Sequence, residues 1–217
     1  MDIREALYTT RAMRRVKPDA IPTDVQARIL DAAVRAPTGG NSQAWRFMLV
    51  DDSEIKAGLG DLYRDCIYTL WSTHYKGRLD AVTTEPESEE SKQMQRIKKS
   101  VDWAQDNFAT YPLLFFAFDR ADSSGSSIFP AVWSAMLAAR AEGVGSSLTS
   151  VLSMKAAEVD ALLGVPQGKG WRMACCVPMG YPTGKWGVAK RRPAHEVSYR
   201  NSWGTPVGFE IDEPLWP

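Results

Sequence analysis

The feature that most constrains the fold is an unbroken apolar run at residues 113–118, Leu-Leu-Phe-Phe-Ala-Phe. A strand with one solvated face alternates apolar and polar residues, whereas this run presents apolar side chains to both faces. It therefore predicts a strand that is buried on both sides. Because such a strand needs cover, the chain is expected to pack helices against a sheet.

The remaining pattern supplies those helices and two further strands. Strands are predicted at 46–50 and 173–182, and helices at 2–9, 23–36, 54–76, 129–140 and after residue 153. Thr23 with Gln26 three residues later is a capping-box signature, which places the N-cap of the second helix at Thr23. This order of elements indicates a mixed α+β or α/β sandwich.

Two segments depart from the ordinary pattern. Residues 129–140 are apolar on nearly all sides, so this helix is expected in the centre of a large core or at a subunit interface. Residues 78–107 are strongly charged and are interpreted as a mobile loop followed by an exposed helix. That segment is either a solvated insertion or a lid over a ligand.

Composition bounds the class of protein. The chain has 217 residues, 44% hydrophobic and 24% charged, which is typical of a globular protein with most simply one domain. Its formal net charge is zero and its Lys and Arg residues are dispersed, so neither nucleic acid nor an anionic membrane is expected as a partner. No apolar run is long enough to span a bilayer, and the N-terminus does not resemble a signal peptide. A cytoplasmic location is therefore expected.

The cysteines and histidines exclude several kinds of site. Cys66, Cys175 and Cys176 are too few and wrongly spaced for a disulfide framework or a zinc site. His74 and His195 are the only histidines, which argues against a histidine-rich metal site and leaves little for a Ser-His-Asp triad. No metal is expected.

The stretch 36–45, which we call the amide loop, carries more turn chemistry than a helix-to-strand connection needs. Pro37 ends the preceding helix, and Gly39-Gly40 lets the backbone turn and lie close to a neighbour. Asn41, Ser42 and Gln43 then supply groups that both donate and accept hydrogen bonds. The loop suits a planar ligand with polar edges, although a turn whose polar residues only face water explains it equally well.

Two basic clusters stand near opposite ends of the sequence. The first holds Arg11, Arg14 and Arg15, and the second is the run 190–192. Each is either a solvated basic turn or an anion site, because guanidinium groups match phosphate oxygens. If both clusters met one phosphate while the amide loop bound a flat polar ring, a phosphorylated flavin would satisfy all three.

Four segments in this order resemble the nitroreductase family of FMN-dependent oxidoreductases. Residues 11–16 are similar to its Arg-Arg-Ser-x-Arg-x-Phe run, and residues 36–47 to its Ala-Pro-Ser-x-x-Asn-x-Gln-Pro-Trp segment. Residues 143–146 resemble its Gly-Leu-Gly element, and residues 179–193 its C-terminal portion. Departures are Ala12 for the common serine, Ala44 for proline, and Leu152-Ser153 where some members carry Glu-Gly.

The resemblance implies an α+β fold: a nitroreductase-like α/β/α sandwich with a central, mainly antiparallel sheet, in an intertwined homodimer with FMN at the subunit interface. Residues 1–217 would form a single FMN-binding domain, with 78–107 as a lid or insertion and 194–217 as an extension that wraps the partner subunit. The resemblance implies three groups of FMN contacts. In and beside the two basic clusters they are Arg11, Ala12, Met13, Arg14, Lys190 and Arg192. In the amide loop of the neighbouring subunit they are Pro37, Thr38, Gly39, Asn41 and Gln43, and beside the ring edge that receives hydride they are Thr149, Ser150 and Leu152.

The activity implied by the resemblance is a ping-pong oxidoreductase reaction. NADH or NADPH would deliver hydride to FMN, and an electron-poor small molecule such as a nitroaromatic or quinone would then take the electrons. Because the flavin performs the chemistry, no residue is expected to act as a catalytic acid, base or nucleophile. Two alternatives stay open: the same fold and FMN with different chemistry (alkene reduction, dehalogenation, dehydrogenation or flavin breakdown), and a non-enzymatic flavin-binding protein.

Overall fold

A computed structural model describes residues 1–120 and 122–215, so Trp216 and Pro217, at the end of the predicted extension 194–217, lie outside the described residues. The chain forms two compact units. The larger spans Ala12–Gly184, and the smaller joins Met1–Arg11 to the C-terminal segment from Lys185 onward.

The larger unit is built on a four-stranded antiparallel sheet. Its strands are β1 (Trp45–Val50), β2 (Leu113–Asp119), β3 (Gly145–Ser146) and β4 (Arg172–Gly180), in the order β1-β2-β4-β3. Trp45 lies opposite Asp119 across the first pair, and Leu113 lies opposite Met179 across the second. The three longer strands confirm the strands predicted from the sequence.

Helices precede, separate and follow these strands. In the described residues they are α1 (Ile3–Thr9), α2 (Thr23–Ala33), α3 (Ser53–Ser72), α4 (Lys76–Thr84), α5 (Glu89–Asp106), α6 (Ile128–Ala141) and α7 (Ala156–Leu163). Helix α1 belongs to the smaller unit and the other six to the larger.

Alternation along β2 divides the larger unit into two core layers. Leu113, Phe115 and Ala117 pack on one face with side chains of α2 and α6. Leu114 and Phe116 pack on the other with side chains of α3, α5 and α7. All seven residues of β2 are buried, which explains why its sequence is apolar without interruption. The predicted α+β sandwich is therefore confirmed.

Local predictions failed at both ends of α2 and at the start of residues 78–107. Helix α2 ends at Ala33, before the predicted stop at Pro37, because a turn at residues 34–36 follows it. Helix α2 begins at Thr23, but the N-cap position is Pro22, and the Gln26 side chain donates to the carbonyl of Ile21 at 2.7 Å instead of closing a capping box. The segment expected to open as a mobile loop at residue 78 instead folds as α4. Helix α5 follows it, with Ser88 as N-cap and Met94, Val101 and Ala104 buried.

The smaller unit contains α1, which Asp2 caps by accepting from the backbone amides of Arg4 and Glu5 at 2.8 and 2.9 Å. Its C-terminal part holds a short 3-10 helix at Ala194–Val197 and a bridge between Tyr199 and Pro206. Across both units, none of the described helices combines the length and the apolar character that a bilayer crossing requires.

Candidate functional site

The amide loop is organised by hydrogen bonds within itself. The backbone amide of Asn41 donates to the Thr38 carbonyl at 3.0 Å, and the amide of Gln43 donates to the Thr38 hydroxyl at 3.2 Å. The Gln43 side chain donates to the Asn41 side-chain oxygen at 3.1 Å. The amide of Gly39 donates to the Ser127 hydroxyl at 3.3 Å, which ties the loop to the start of α6. These contacts hold the loop in one conformation.

That conformation is strained. Gly40, Asn41 and Gln43 have φ values of 58°, 52° and 48°. Glycine adopts the left-handed region freely and Asn tolerates it, so the cost of roughly 1–2 kcal/mol applies mainly to Gln43. The side chains of Asn41 and Gln43 are nevertheless exposed, so no packing contact with the core explains the strain. An exposed polar loop with an unusual backbone conformation is a candidate for contact with a ligand.

The arginine segment, residues 12–16, is fixed along the end of the sheet. The amide of Met13 donates to the Ser146 carbonyl at 3.0 Å, and Val16 forms an antiparallel bridge with Pro182. The arginine segment approaches the ends of β3 and β4 closely because Gly145 and Gly180 lack side chains. A Cβ at Gly145 would lie 2.9 Å from the Met13 Cβ, and one at Gly180 would lie 2.7 Å from the Val16 Cγ2. Gly145 and Gly180 therefore allow the arginine segment to pack directly against the sheet.

This packing brings Arg14 and Thr149 to one cavity of the larger unit. Arg14 is half-buried, and its Nη1 lies 3.5 Å from the Ser100 hydroxyl of α5. Thr149 pairs with Cys176 of β4 through two backbone hydrogen bonds of 2.8 and 2.9 Å. Ser150 is exposed, whereas the Leu152 side chain is fully buried in the core. A contact between Leu152 and a cofactor therefore requires its backbone, and stays a prediction.

Two tyrosines near Arg14 were not singled out in the sequence. Tyr111 donates from its hydroxyl to the Arg14 carbonyl at 2.5 Å, and Tyr63 lines the same cavity as Arg14 and Thr149. Burial raises the pKa of both phenols above the usual value, so both are neutral donors at physiological pH. Both occupy positions that the sequence marks only as core. The one available signal is that a buried tyrosine hydroxyl requires a partner.

Three of the predicted phosphate contacts belong to the smaller unit. Arg11 is exposed and donates to the Lys185 carbonyl at 2.8 Å. Lys190 and Arg192 are exposed and line a groove of about 830 Å³ together with Arg191. Asp212 and Glu213 line the same groove, so the three cations leave only a small excess of positive charge there. The predicted site residues are thus divided between the two units.

In the part of the chain that the structure describes, no three His, Cys, Asp or Glu side chains form a group suited to a metal ion. Three polar parts are therefore candidates for ligand binding, each within its own unit: the amide loop and the arginine segment with the 147–152 stretch in the larger unit, and the cations Arg11, Lys190 and Arg192 in the smaller unit. Amide, hydroxyl and guanidinium groups of this kind suit the binding of a polar or anionic ligand.

This fold is that of a known protein class. Residues 7–181 match the model of the nitroreductase family, and the chain belongs to that family.

Two relatives with assigned functions match about four fifths of the chain. Iodotyrosine deiodinase of Thermotoga neapolitana is 28% identical over 176 residues, covering 79% of this chain and 84% of the relative. The 5,6-dimethylbenzimidazole synthase of Rhodospirillum rubrum is 29% identical over 193 residues, covering 82% and 81%. The chain is similar to both, so family membership leaves the reaction open.

Among solved structures, the chain is similar to oxidized iodotyrosine deiodinase bound to FMN and 3-iodo-L-tyrosine. The TM-score is 0.69 at 22% sequence identity, and the match covers 89% of this chain and 95% of the other. At this identity the similarity shows a shared fold.

Proposed function

We propose that this protein is an FMN-dependent oxidoreductase that passes hydride from NADH or NADPH through FMN to an electron-poor small molecule. The observation that carries the proposal is the amide loop. Its backbone is held in a strained conformation while Asn41 and Gln43 stay exposed. Such a loop supplies preformed donors and acceptors to a flat polar ring without further ordering.

The donor set of the chain fits FMN. A flavin ring presents carbonyl oxygens and ring nitrogens along one edge, which complement the amide groups of the loop. Its phosphate requires cations, and Arg11, Lys190 and Arg192 are exposed guanidinium and ammonium groups. Arg14 and Thr149 line one cavity beside the predicted ring-edge stretch. We infer that these residues hold the phosphate, the ribityl chain and the ring, as the sequence implied.

When bound, FMN would supply the redox chemistry: it can take hydride from a nicotinamide and pass the electrons to an acceptor. The chain's own groups bind and orient. Cationic and neutral donors near the ring stabilise negative charge that develops there, a role that suits the Arg14 guanidinium and the hydroxyl of Thr149. No acid or base of the chain is required for the transfer itself.

The test is the absorbance spectrum of the purified protein, followed by anaerobic titration with NADH and with NADPH. A visible flavin spectrum that either nicotinamide bleaches is expected, and the nicotinamide that bleaches it faster identifies the reductant. A colourless protein that takes up no added FMN would overturn the proposal.

A second candidate keeps the flavin and changes the reaction to dehalogenation, alkene reduction, dehydrogenation or flavin breakdown. It is favoured by the two relatives, a deiodinase and a synthase, which match about four fifths of the chain. A protein with a flavin spectrum that neither nicotinamide bleaches, but that turns over a halogenated or unsaturated acceptor with a chemical reductant, would select this candidate. Tight flavin without any turnover would indicate a flavin-binding protein.

Three further parts of the proposal concern the whole protein. We propose a homodimer in which the amide loop of one subunit contacts the flavin of the other, because that loop is exposed. We also propose that 1–217 acts as one domain, with 78–107 near the ligand and 194–217 against the partner subunit. A cytoplasmic location completes the proposal.

A further inference from the structure

Tyr111 links the start of β2 to the arginine segment. Its hydroxyl donates to the Arg14 carbonyl at 2.5 Å. The residue is 1% exposed, and its ring makes edge contacts with Trp103 and Phe108 at centroid distances of 6.2 and 6.1 Å. Because close packing holds the ring in this orientation, the hydroxyl has little freedom to move away from Arg14.

The side chain of a buried lysine holds the backbone of Tyr111. Lys56, in the first turn of α3, is only 9% exposed, and its Nζ donates to the Tyr111 carbonyl at 2.9 Å. A lysine is rarely buried to this extent unless its polar end has a hydrogen-bond partner. Lys56, Tyr111 and Arg14 therefore form a hydrogen-bonded chain that runs from α3 to the arginine segment.

This chain ends at a residue that the proposed function places against FMN. The backbones of Met13 and Arg15, on either side of Arg14, are each hydrogen-bonded to other segments of the larger unit at 3.0 Å. Those contacts fix the neighbours of Arg14, whereas the Tyr111 hydroxyl bonds to Arg14 itself. A ligand-binding side chain needs such supporting contacts, because a small displacement weakens directed hydrogen bonds to the ligand.

We propose that Tyr111 is a positioning residue of the flavin site, which holds the Arg14 guanidinium in place for FMN through the hydrogen bond to the Arg14 carbonyl. Lys56 supports this role by holding the Tyr111 backbone. The role rests on the proposed function, in which Arg14 contacts FMN. Tyr111 then acts on the ligand through Arg14, so its contribution to FMN affinity disappears when the guanidinium is removed.

A double-mutant cycle on FMN affinity tests this role. Tyr111→Phe keeps the ring and removes the hydroxyl, and we expect it to weaken FMN binding about fivefold, the usual worth of one hydrogen bond. In the Arg14→Met background, the same change should alter the affinity by about twofold or less. Titration of the flavin-free protein with FMN measures all four affinities. Arg14→Gln, which keeps a neutral donor, replaces Arg14→Met if that variant binds FMN too weakly to titrate.

Two further variants separate positioning from general loss of stability. Val159→Ala removes a buried side chain from the same core layer without removing a hydrogen bond. Any loss of FMN affinity that it causes should be equal with and without the Arg14 guanidinium. Lys56→Met removes the donor to the Tyr111 carbonyl and should depend on Arg14 as Tyr111→Phe does, so it serves as the test if Tyr111→Phe does not fold. Circular dichroism identifies which variants are folded.

Failure of the proposed function and failure of this role give different results. A native protein that takes up no FMN contradicts both, and its visible spectrum shows this before any variant is made. Where native protein binds FMN, a loss of affinity that occurs only while the Arg14 guanidinium is present supports the positioning role. If Tyr111→Phe binds FMN as native protein does, or weakens binding equally in both backgrounds, the role of Tyr111 is overturned while the proposed function stands.

Discussion

At the scale of single residues, Gly145, Gly180 and Gly39 differ in how much space surrounds them for an added Cβ atom. We predict that Gly145→Ala and Gly180→Ala each destabilise the fold by about 1–3 kcal/mol, because overpacking displaces fixed neighbours. The new Cβ atoms would lie 2.9 Å from Met13 and 2.7 Å from Val16. The free energy of unfolding in urea checks this prediction. Unfolding midpoints equal to that of the native protein would contradict the direct packing of the arginine segment against the sheet.

Gly39→Ala is the matched substitution in the amide loop. Among the described residues, a Cβ at Gly39 would meet no atom within 4 Å, and Gly39 does not have a positive φ. We therefore predict an unfolding free energy within about 0.5 kcal/mol of the native value, as for most surface substitutions. FMN affinity should nevertheless fall, because Gly39 is proposed to contact the ligand and an added methyl group prevents the close backbone approach that glycine allows. FMN titration measures this affinity, and unchanged binding would remove Gly39 from the site.

At the scale of elements, β4 carries two buried thiols with a consequence for alkaline stability. Burial raises the pKa of Cys175 to about 12, and burial together with the neighbouring Cys175 raises that of Cys176. The folded state therefore keeps protons that the unfolded state loses above about pH 8.5. The contribution of these protonated thiols to the free energy of unfolding is fully present below about pH 8.5 and is lost as the pH rises above it. We predict a loss of about 1.4 kcal/mol per thiol for each further pH unit.

The double variant Cys175→Ala, Cys176→Ala isolates this effect. Its stability at pH 7 changes because core volume is lost, so the measured quantity is the slope of unfolding free energy between pH 8 and about pH 10. The slope should be shallower than in native protein, while Cys66→Ala serves as a comparison from α3, where burial also raises the thiol pKa. A double variant with the native slope would show that β4 does not retain these protons.

At the scale of the whole molecule, the proposed phosphate contacts include Arg11 and Lys190 of the smaller unit. We predict that Arg11→Ala and Lys190→Ala each weaken FMN binding by about tenfold or more, the usual worth of a hydrogen bond to a charged group. FMN retention after dialysis is the measurement. Arg35→Ala is the control, because it removes an exposed cation that pairs with Asp31 on α2. Retention equal to native protein in both site variants would refute their assignment to the phosphate.

Helix α6 bears on the proposed homodimer. Phe129 and Trp133, one turn apart on this helix, are 42% and 40% exposed, and Leu137 in the next turn is half-buried. We predict that Phe129→Ser with Trp133→Ser shifts the protein from dimer to monomer, because two large apolar contacts would be lost. Light scattering during size-exclusion chromatography gives the mass. Tyr68→Ser, which removes an exposed aromatic residue from α3, should remain dimeric, and a dimeric double variant would place the interface elsewhere.

The sequence predicted the buried strand β2 correctly but did not predict all helix boundaries. The strand at 113–118 was predictable because burial on both faces demands apolar side chains at every position, and β2 has that burial throughout. The N-cap at Pro22 was not predictable, because Thr23 and Gln26 also match a capping box and only the geometry shows Gln26 bonded to Ile21. Helix α4 was missed because its sequence is polar and lacks a clear apolar stripe.

Local chemistry in the sequence by itself determined the sandwich, the turn at Gly39–Asn41, and the identity of the polar groups available to a ligand. These follow from side-chain burial and backbone preference, which act over a few residues. Only the tertiary structure decided that Gly145 and Gly180 allow the arginine segment to pack against the sheet, that Leu152 is buried, and that Arg14 lines a cavity with Tyr63 and Thr149. Contacts between residues so far apart in the chain depend on how whole elements pack, which no local pattern encodes.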